Sequence, residues 1–147
     1  MLLDTVERVA GRNAAEGLRR AIPDLFTGAG SREEGLPRGP WWPSPTDAHY
    51  QATVMVPALM AERLDEIGID FAIVYPSLGL ALCTIPDQEI RLAAIRGLNT
   101  LLAELWLAHP QVLTPAAVIP MHTPEEAIDE LGFARARGLR VAMIPPG

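Results

Sequence analysis

Three histidines, one cysteine and a proline-broken apolar run are the features of this chain from which chemistry could be built. His49, His109 and His122 stand in no metal-ligand spacing, and no CxxC or mixed Cys/His zinc pattern occurs. Cys83 is the single cysteine, so it has no partner for an internal disulfide. With no histidine or acid assignable to it, it reads as a passive loop or core thiol. His122 carries the most chemical promise, because a neutral imidazole can act as ligand or base near pH 7. It also precedes Thr123 directly, where packing over a helix start would explain it equally well. His109 stands before Pro110 at a helix C-terminus, where partial positive charge is favoured, and no role attaches to His49. The apolar run Phe71–Val74 ends at Tyr75-Pro76-Ser77. Tyr75 and Ser77 are candidate pocket-lining residues, with an ordinary proline turn after a strand as the plain alternative. Asp65 and Glu66 fall beside a helix end on its solvated side, and Glu125 and Glu126 suit a helix dipole and a capping box.

Composition removes whole classes of mechanism. All 12 basic residues are arginine, so Schiff-base, pyridoxal and phosphate-loop lysine chemistry are excluded. No GxGxxG, GxSxG or Walker-type loop supports nucleotide binding or a serine hydrolase. The net charge of −6 comes with scattered basic residues, which argues against a nucleic-acid partner. At 147 residues the chain is expected to form a single domain, residues 1–147. No apolar stretch approaches the roughly 20 residues of a membrane-spanning helix. Met1 to Arg12 includes Asp4 and Glu7 and lacks a signal-type apolar region, so cytoplasmic residence is the expectation.

The elements that must position these residues follow from periodicity. Leu2 to Ile22 is weakly amphipathic through Val6, Val9 and Ala10, and reads as helical with Gly11 and Gly17 as weak points. Residues 28–45 hold four glycines and four prolines around Trp41-Trp42, which predicts a long loop docked by its tryptophans. Val56, Leu59, Met60, Leu64 and Ile67 recur at helical spacing behind Pro57 and stop at Gly68. The unalternating Phe71–Val74 predicts a strand covered on both faces. A second helix spans about Pro86 or Asp87 to Ala108, burying Ala94, Ile95, Leu98, Leu101, Leu102 and Leu105, and Pro110 ends it. A strand over Ala116–Ile119 leads to Thr123-Pro124-Glu125-Glu126, where Thr123 caps the next helix and Glu126 reaches back. That helix buries Ala127, Ile128, Leu131 and Ala134, stops at Gly138, and leads to a last strand from Arg140 to Ile144. Helices alternating with strands require an α/β fold with parallel strands and right-handed crossovers. The last strand is left without a covering helix, which implies an open sheet edge.

Three blocks in order, "RLDEIGIDFAIVYPSLGL", "DQEIRLAAIRGLNTLLAEL" and "LTPAAVIPMHTPEEAIDEL" followed by a glycine-led strand, resemble the amidohydrolase-related family. These are metal-dependent barrel hydrolases and decarboxylases, among them the aminocarboxymuconate-semialdehyde decarboxylases. The resemblance covers Thr46 to Ile144. It implies a (β/α)8 TIM barrel of about 250 residues with its active site at the C-terminal strand ends. It also implies a divalent metal, zinc before others, held by an HxH pair on the first strand, a histidine on a middle strand and an aspartate after the last. Two histidines one residue apart on a strand project to the same side and can grip one ion. This chain has no HxH. The resemblance therefore implies a partial barrel, incomplete in this chain, with ligand-bearing strands falling before Met1 and after Gly147. On that basis this chain alone is expected to bind no metal and to be inactive. Tyr75, Ser77 and His122 would line the site for a small-molecule substrate in the intact relatives. Two alternatives stay open: a small non-catalytic α/β binding or assembly module whose sheet edges pair with another subunit as a homo-oligomer, and an enzyme completed by a separately encoded, complementing chain.

Overall fold

The computed structural model describes residues 1–23 and 48–145. The predicted loop at 28–45, with Trp41-Trp42, lies outside the described residues. In chain order the elements are α1 (Leu2–Ala10), α2 (Arg12–Ala21), α3 (Ala48–Met55), α4 (Pro57–Arg63), a 3-10 turn (Asp65–Ile67), β1 (Ala72–Val74), α5 (Leu78–Cys83), α6 (Gln88–Trp106), β2 (Leu113–Val118), α7 (Pro124–Ala136) and β3 (Val141–Met143). The strands form one parallel sheet in the order β1-β2-β3. The α/β class and the parallel sheet are as the periodicity predicts.

Strand order has a direct consequence for layering. Right-handed crossovers between strands placed in sequential order put each crossover helix on the same face of the sheet. In agreement, α6 and α7 touch each other, and α6 lies against β2. A second layer stands behind α6: α1 and α2 both pack on it. Gly97 makes that approach possible, since a Cβ there would lie 2.5 Å from Val6 Cγ2 and 3.3 Å from the Val6 Cα. The predicted single helix over Leu2–Ile22 is in fact two. Gly11 adopts φ 89° between them, a left-handed conformation that glycine takes without steric cost. The break folds α2 back along α1 so that both reach α6.

The long helix α6 is the centre of the molecule. Ala94, Ile95, Leu98 and Leu102 enter the core with Leu113, Ala116 and Val118 of β2, while Leu101 and Leu105 are only partly buried. Asp87 caps the helix, accepting from Ile90 N–H at 3.0 Å. Beside these apolar contacts the core holds polar side chains that hydrophobic periodicity does not reveal. Asn99, fully buried, donates through Nδ2 to the Val118 carbonyl and accepts the Val118 N–H at Oδ1, both at 2.8 Å. The β1 ladder covers Leu113–Pro115 and the β3 ladder covers Ala116–Val118. The Asn99 amide thus satisfies backbone groups at the end of β2, past the last residue paired with β1. Asn99 also donates to Glu130 Oε1 at 2.8 Å, and Arg96 Nε donates to Glu130 Oε2 at 2.7 Å.

Helix α7 departs from the predicted pattern. Thr123 Oγ1 accepts from Glu126 N–H at 3.2 Å as expected of a cap, but the Glu126 carboxylate does not reach back. It is buried against Arg91, which donates from Nη2 at 3.0 Å, and against Gln88 Nε2 at 2.8 Å. The two acids Glu126 and Glu130 therefore occupy the inner face with Ala127 and Ala134, and the predicted core residues Ile128 and Leu131 are 66% and 46% exposed. A second correction concerns β1, whose middle residue Ile73 is 46% exposed and not covered on both faces. The strands also shift: β2 starts three residues earlier than predicted, and β3 is shorter.

Replacing Asn99 by alanine would leave the Val118 N–H and C=O and the Glu130 carboxylate without their buried partner. The expected loss is about 2–4 kcal/mol of unfolding free energy, to be read from the midpoint of urea unfolding followed by helical circular dichroism.

Candidate functional site

In a parallel sheet the C-terminal ends of all strands lie along one edge, which is where α/β folds place ligands. Tyr75 follows β1 directly, and Met121-His122 follow β2 after Ile119-Pro120. Tyr75, Ser77 and His122 thus belong to the same end of the sheet, all three exposed, with Tyr75 at 56%. No side-chain hydrogen bond joins them among the described residues. Ser77 occupies the N-cap position of α5 without a side-chain cap bond, and His122 stands one residue before the Thr123 cap. The edge gathers three polar side chains but does not bind them into a preorganised constellation of nucleophile, base and orienting group.

The sequence pattern does not reveal a further element at this end. Residues Leu78–Cys83 form a short helix, α5, where only a proline turn is predicted. Leu82, fully buried, and Cys83 enter the core, and Gly79 rests on the last side chains of β2 and β3. A Cβ at Gly79 would overlap Val118 Cγ2 and come 2.9 Å from Met143 Cε. The signal was present in the spacing of Leu78 and Leu82, but the run is too short for periodicity to separate a helix from a turn. α5 thus packs through Gly79 on Val118 and Met143, the last residues of β2 and β3.

The histidines do not converge. His109 accepts backbone hydrogen bonds from Val112 and Leu113 at the start of β2, whereas His122 follows the end of that strand. Six strand residues at about 3.3 Å each separate them by on the order of 20 Å. His49 is on α3. Among the described residues no group of three or more His, Cys, Asp or Glu side chains could hold a metal ion. The described residues do not fit the metal centre implied by the sequence resemblance. Cys83 is buried, and that burial pushes its thiol pKa up, partly opposed by the nearby Arg91 guanidinium. A raised pKa keeps the group protonated, in keeping with a passive core thiol.

A separate groove of about 800 Å³ runs between α7 and β3, lined by Leu131, Gly132, Arg135, Leu139 and Val141 among others. None of Tyr75, Ser77 or His122 contributes to it. No family model, no curated protein and no solved structure matches the chain. The geometry of this molecule is therefore the ground for a functional assignment. Among the described residues no helix is long and apolar enough to cross a membrane.

Two outcomes are expected at this end of the sheet. Gly79→Ala overpacks the seat of α5 and should cost about 1–3 kcal/mol in denaturant unfolding. Cys83 should react with a thiol-specific chromogenic disulfide much more slowly in the native protein than in urea at the same pH, since both burial and the raised pKa withhold the thiolate.

Proposed function

We propose that this chain is a segment of an amidohydrolase-like (β/α)8 barrel, contributing the scaffold and one wall of the active site of a metal-dependent enzyme. The observation that carries this is the sequential parallel order β1-β2-β3, each pair joined through a helix. Sequential order with crossover helices on one face is how a barrel is wound, whereas a doubly wound sheet reverses direction at a switch point. The sequence resemblance over Thr46–Ile144 supports the same reading. So does the position of Tyr75, Ser77 and His122, at the strand ends that carry the active site in barrel enzymes.

In that role Tyr75 and Ser77 offer hydroxyl groups, and His122 an imidazole, to a small-molecule substrate. The reaction class is hydrolysis of a C–N or ester bond or non-oxidative decarboxylation, the two chemistries of the resembling family. The metal, zinc before other divalent ions, belongs on this reading to ligands on other strands. The 147-residue chain by itself would then scaffold without turnover.

A second reading has its own observation. Among the described residues α1, α2, α6 and the sheet share one continuous core, which suits a small binding or assembly module that folds without further strands.

The coding locus decides between them. Reading the frames beyond Met1 and Gly147 should reveal an HxH strand upstream and a histidine and an aspartate downstream. Stop codons enclosing the frame, with no such ligands in a neighbouring gene, would overturn the barrel-segment proposal. Independently, the purified 147-residue chain should retain only substoichiometric zinc after dialysis and show no turnover of amide, ester or carboxylate substrates.

A further inference from the structure

Ser77 and His122 stand on two separate connections, beyond the ends of β1 and β2, so strand pairing by itself fixes neither. One buried side chain ties the two connections together. Arg91, near the start of α6, is 4% exposed. Its Nη1 donates to the Ile85 carbonyl at 2.8 Å and to the Pro86 carbonyl at 3.2 Å, and its Nη2 donates to Glu126 Oε1 at 3.0 Å. From Ile85 the path to Ser77 is short. The Ile85 N–H donates to the Leu82 carbonyl in α5, and Ser77 is the N-cap residue of that helix. From Glu126 the path to His122 is equally short, since its N–H donates to Thr123 Oγ1 at 3.2 Å and Thr123 follows His122 directly. Gln88 Nε2, also on α6, donates to the same carboxylate at 2.8 Å.

Two features set this contact apart from one whose worth is stability alone. A buried ion pair gives up hydration on both partners, and apolar side chains of similar volume often hold such a place equally well or better. Among the described residues Arg91 Nε is also a buried side-chain nitrogen without a hydrogen-bond partner, a cost that an apolar side chain does not incur. What the guanidinium alone supplies is a planar fork with donors aimed in fixed directions. One arm meets the carbonyls behind α5, and the other meets the acid at the head of α7. The pair Arg96–Glu130 joins the same two helices without a bond to either connection.

We propose that Arg91 is a positioning residue for the candidate site, its fork and the Glu126 carboxylate holding the Ser77 hydroxyl and the His122 imidazole at one fixed separation. The two groups do not touch each other. What the fork fixes is the gap between them, the space a substrate would span. A reacting group displaced by about 1 Å can lose on the order of a hundred-fold in rate, so a site divided between two connections needs a tie of this kind. The inference rests on the barrel-segment proposal for the meaning of the site, while the fixed separation is a property of the 147-residue chain itself.

Nitroxide labels on the 147-residue chain carrying Ser77→Cys and His122→Cys test this by pulsed electron-electron distance measurement. Brief labelling of the native protein spares Cys83, which is buried. A single narrow distance distribution is expected. Adding Arg91→Met and Glu126→Leu should leave the urea-unfolding midpoint close to that of the labelled parent and roughly double the width of the distribution. Arg96→Met should lower the midpoint and leave the distribution narrow. A distribution already broad in the parent overturns the proposal, as does one that stays narrow without the Arg91–Glu126 pair or broadens equally in Arg96→Met. Should the Met/Leu variant lose its helical circular dichroism, Arg91→Lys takes its place, since it keeps a cation beside Glu126 but has no fork. It should fold and show the broadened distribution; a narrow distribution, or loss of the fold, makes Arg91 a core residue only and overturns positioning. Stop codons enclosing the reading frame would remove the barrel-segment proposal and leave this measurement untouched, whereas a broad parent distribution removes the positioning role alone.

Discussion

The side-chain amide of Asn99 is the contact on which the rest of the structure depends. From the middle of α6 it takes both backbone groups of Val118, donating to one and accepting from the other. An amide is the side chain able to do this, since it carries donor and acceptor in the same plane as the peptide group it meets. The strand is held to the helix by geometry as well as by apolar contact. Through its second amide proton Asn99 fixes Glu130, so a single residue links α6, β2 and α7. Buried polar groups satisfied in this way specify one arrangement, because any slip of β2 leaves several of them unpaired at once.

A second buried pair repeats the theme nearer the start of α6. Arg91 donates to the Ile85 carbonyl at 2.8 Å and to the Glu126 carboxylate at 3.0 Å, joining the α5–α6 turn to the first turn of α7. A buried ion pair gives up hydration on both partners, and its worth lies chiefly in the penalty for separating them. Arg96 adds a partly exposed layer, pairing with Glu130 while its guanidinium lies 4.1 Å from the centre of the Phe133 ring. Helix α7 is thus attached by charges on its inner face. That attachment leaves its apolar residues Ile128 and Leu131 turned outward.

That inversion connects the core to the surface. A helix that used Ile128 and Leu131 to bind its own sheet would present acids to the groove beside β3. With Glu126 and Glu130 drawn inward by Arg91 and Arg96, the groove between α7 and β3 is lined by Leu131 together with Arg135 and Arg140. The same sheet ends on its other side in an exposed, acidic approach to β1. At the C-terminal end α5 packs through Gly79 against the side chains of Val118 and Met143.

The sequence by itself determined the α/β class, the parallel strands, the approximate place of α4, α6, α7 and all three strands, and the Thr123 cap. These depend on local periodicity, on proline and glycine punctuation, and on parallel strands needing long crossovers. It also placed Tyr75, Ser77 and His122 at strand ends, since connectivity alone sends them there. Only the tertiary structure decided which side of α7 is buried. The choice turned on Arg91, Arg96 and Asn99, residues on another helix whose reach has no trace in the local pattern around Glu126. Tertiary contact likewise made α5 a helix, through Gly79 fitting against β2 and β3, and folded α2 back on α1 so that both reach α6. Local spacing reports what a segment prefers, whereas pairing between distant polar groups settles which face each helix gives to the core.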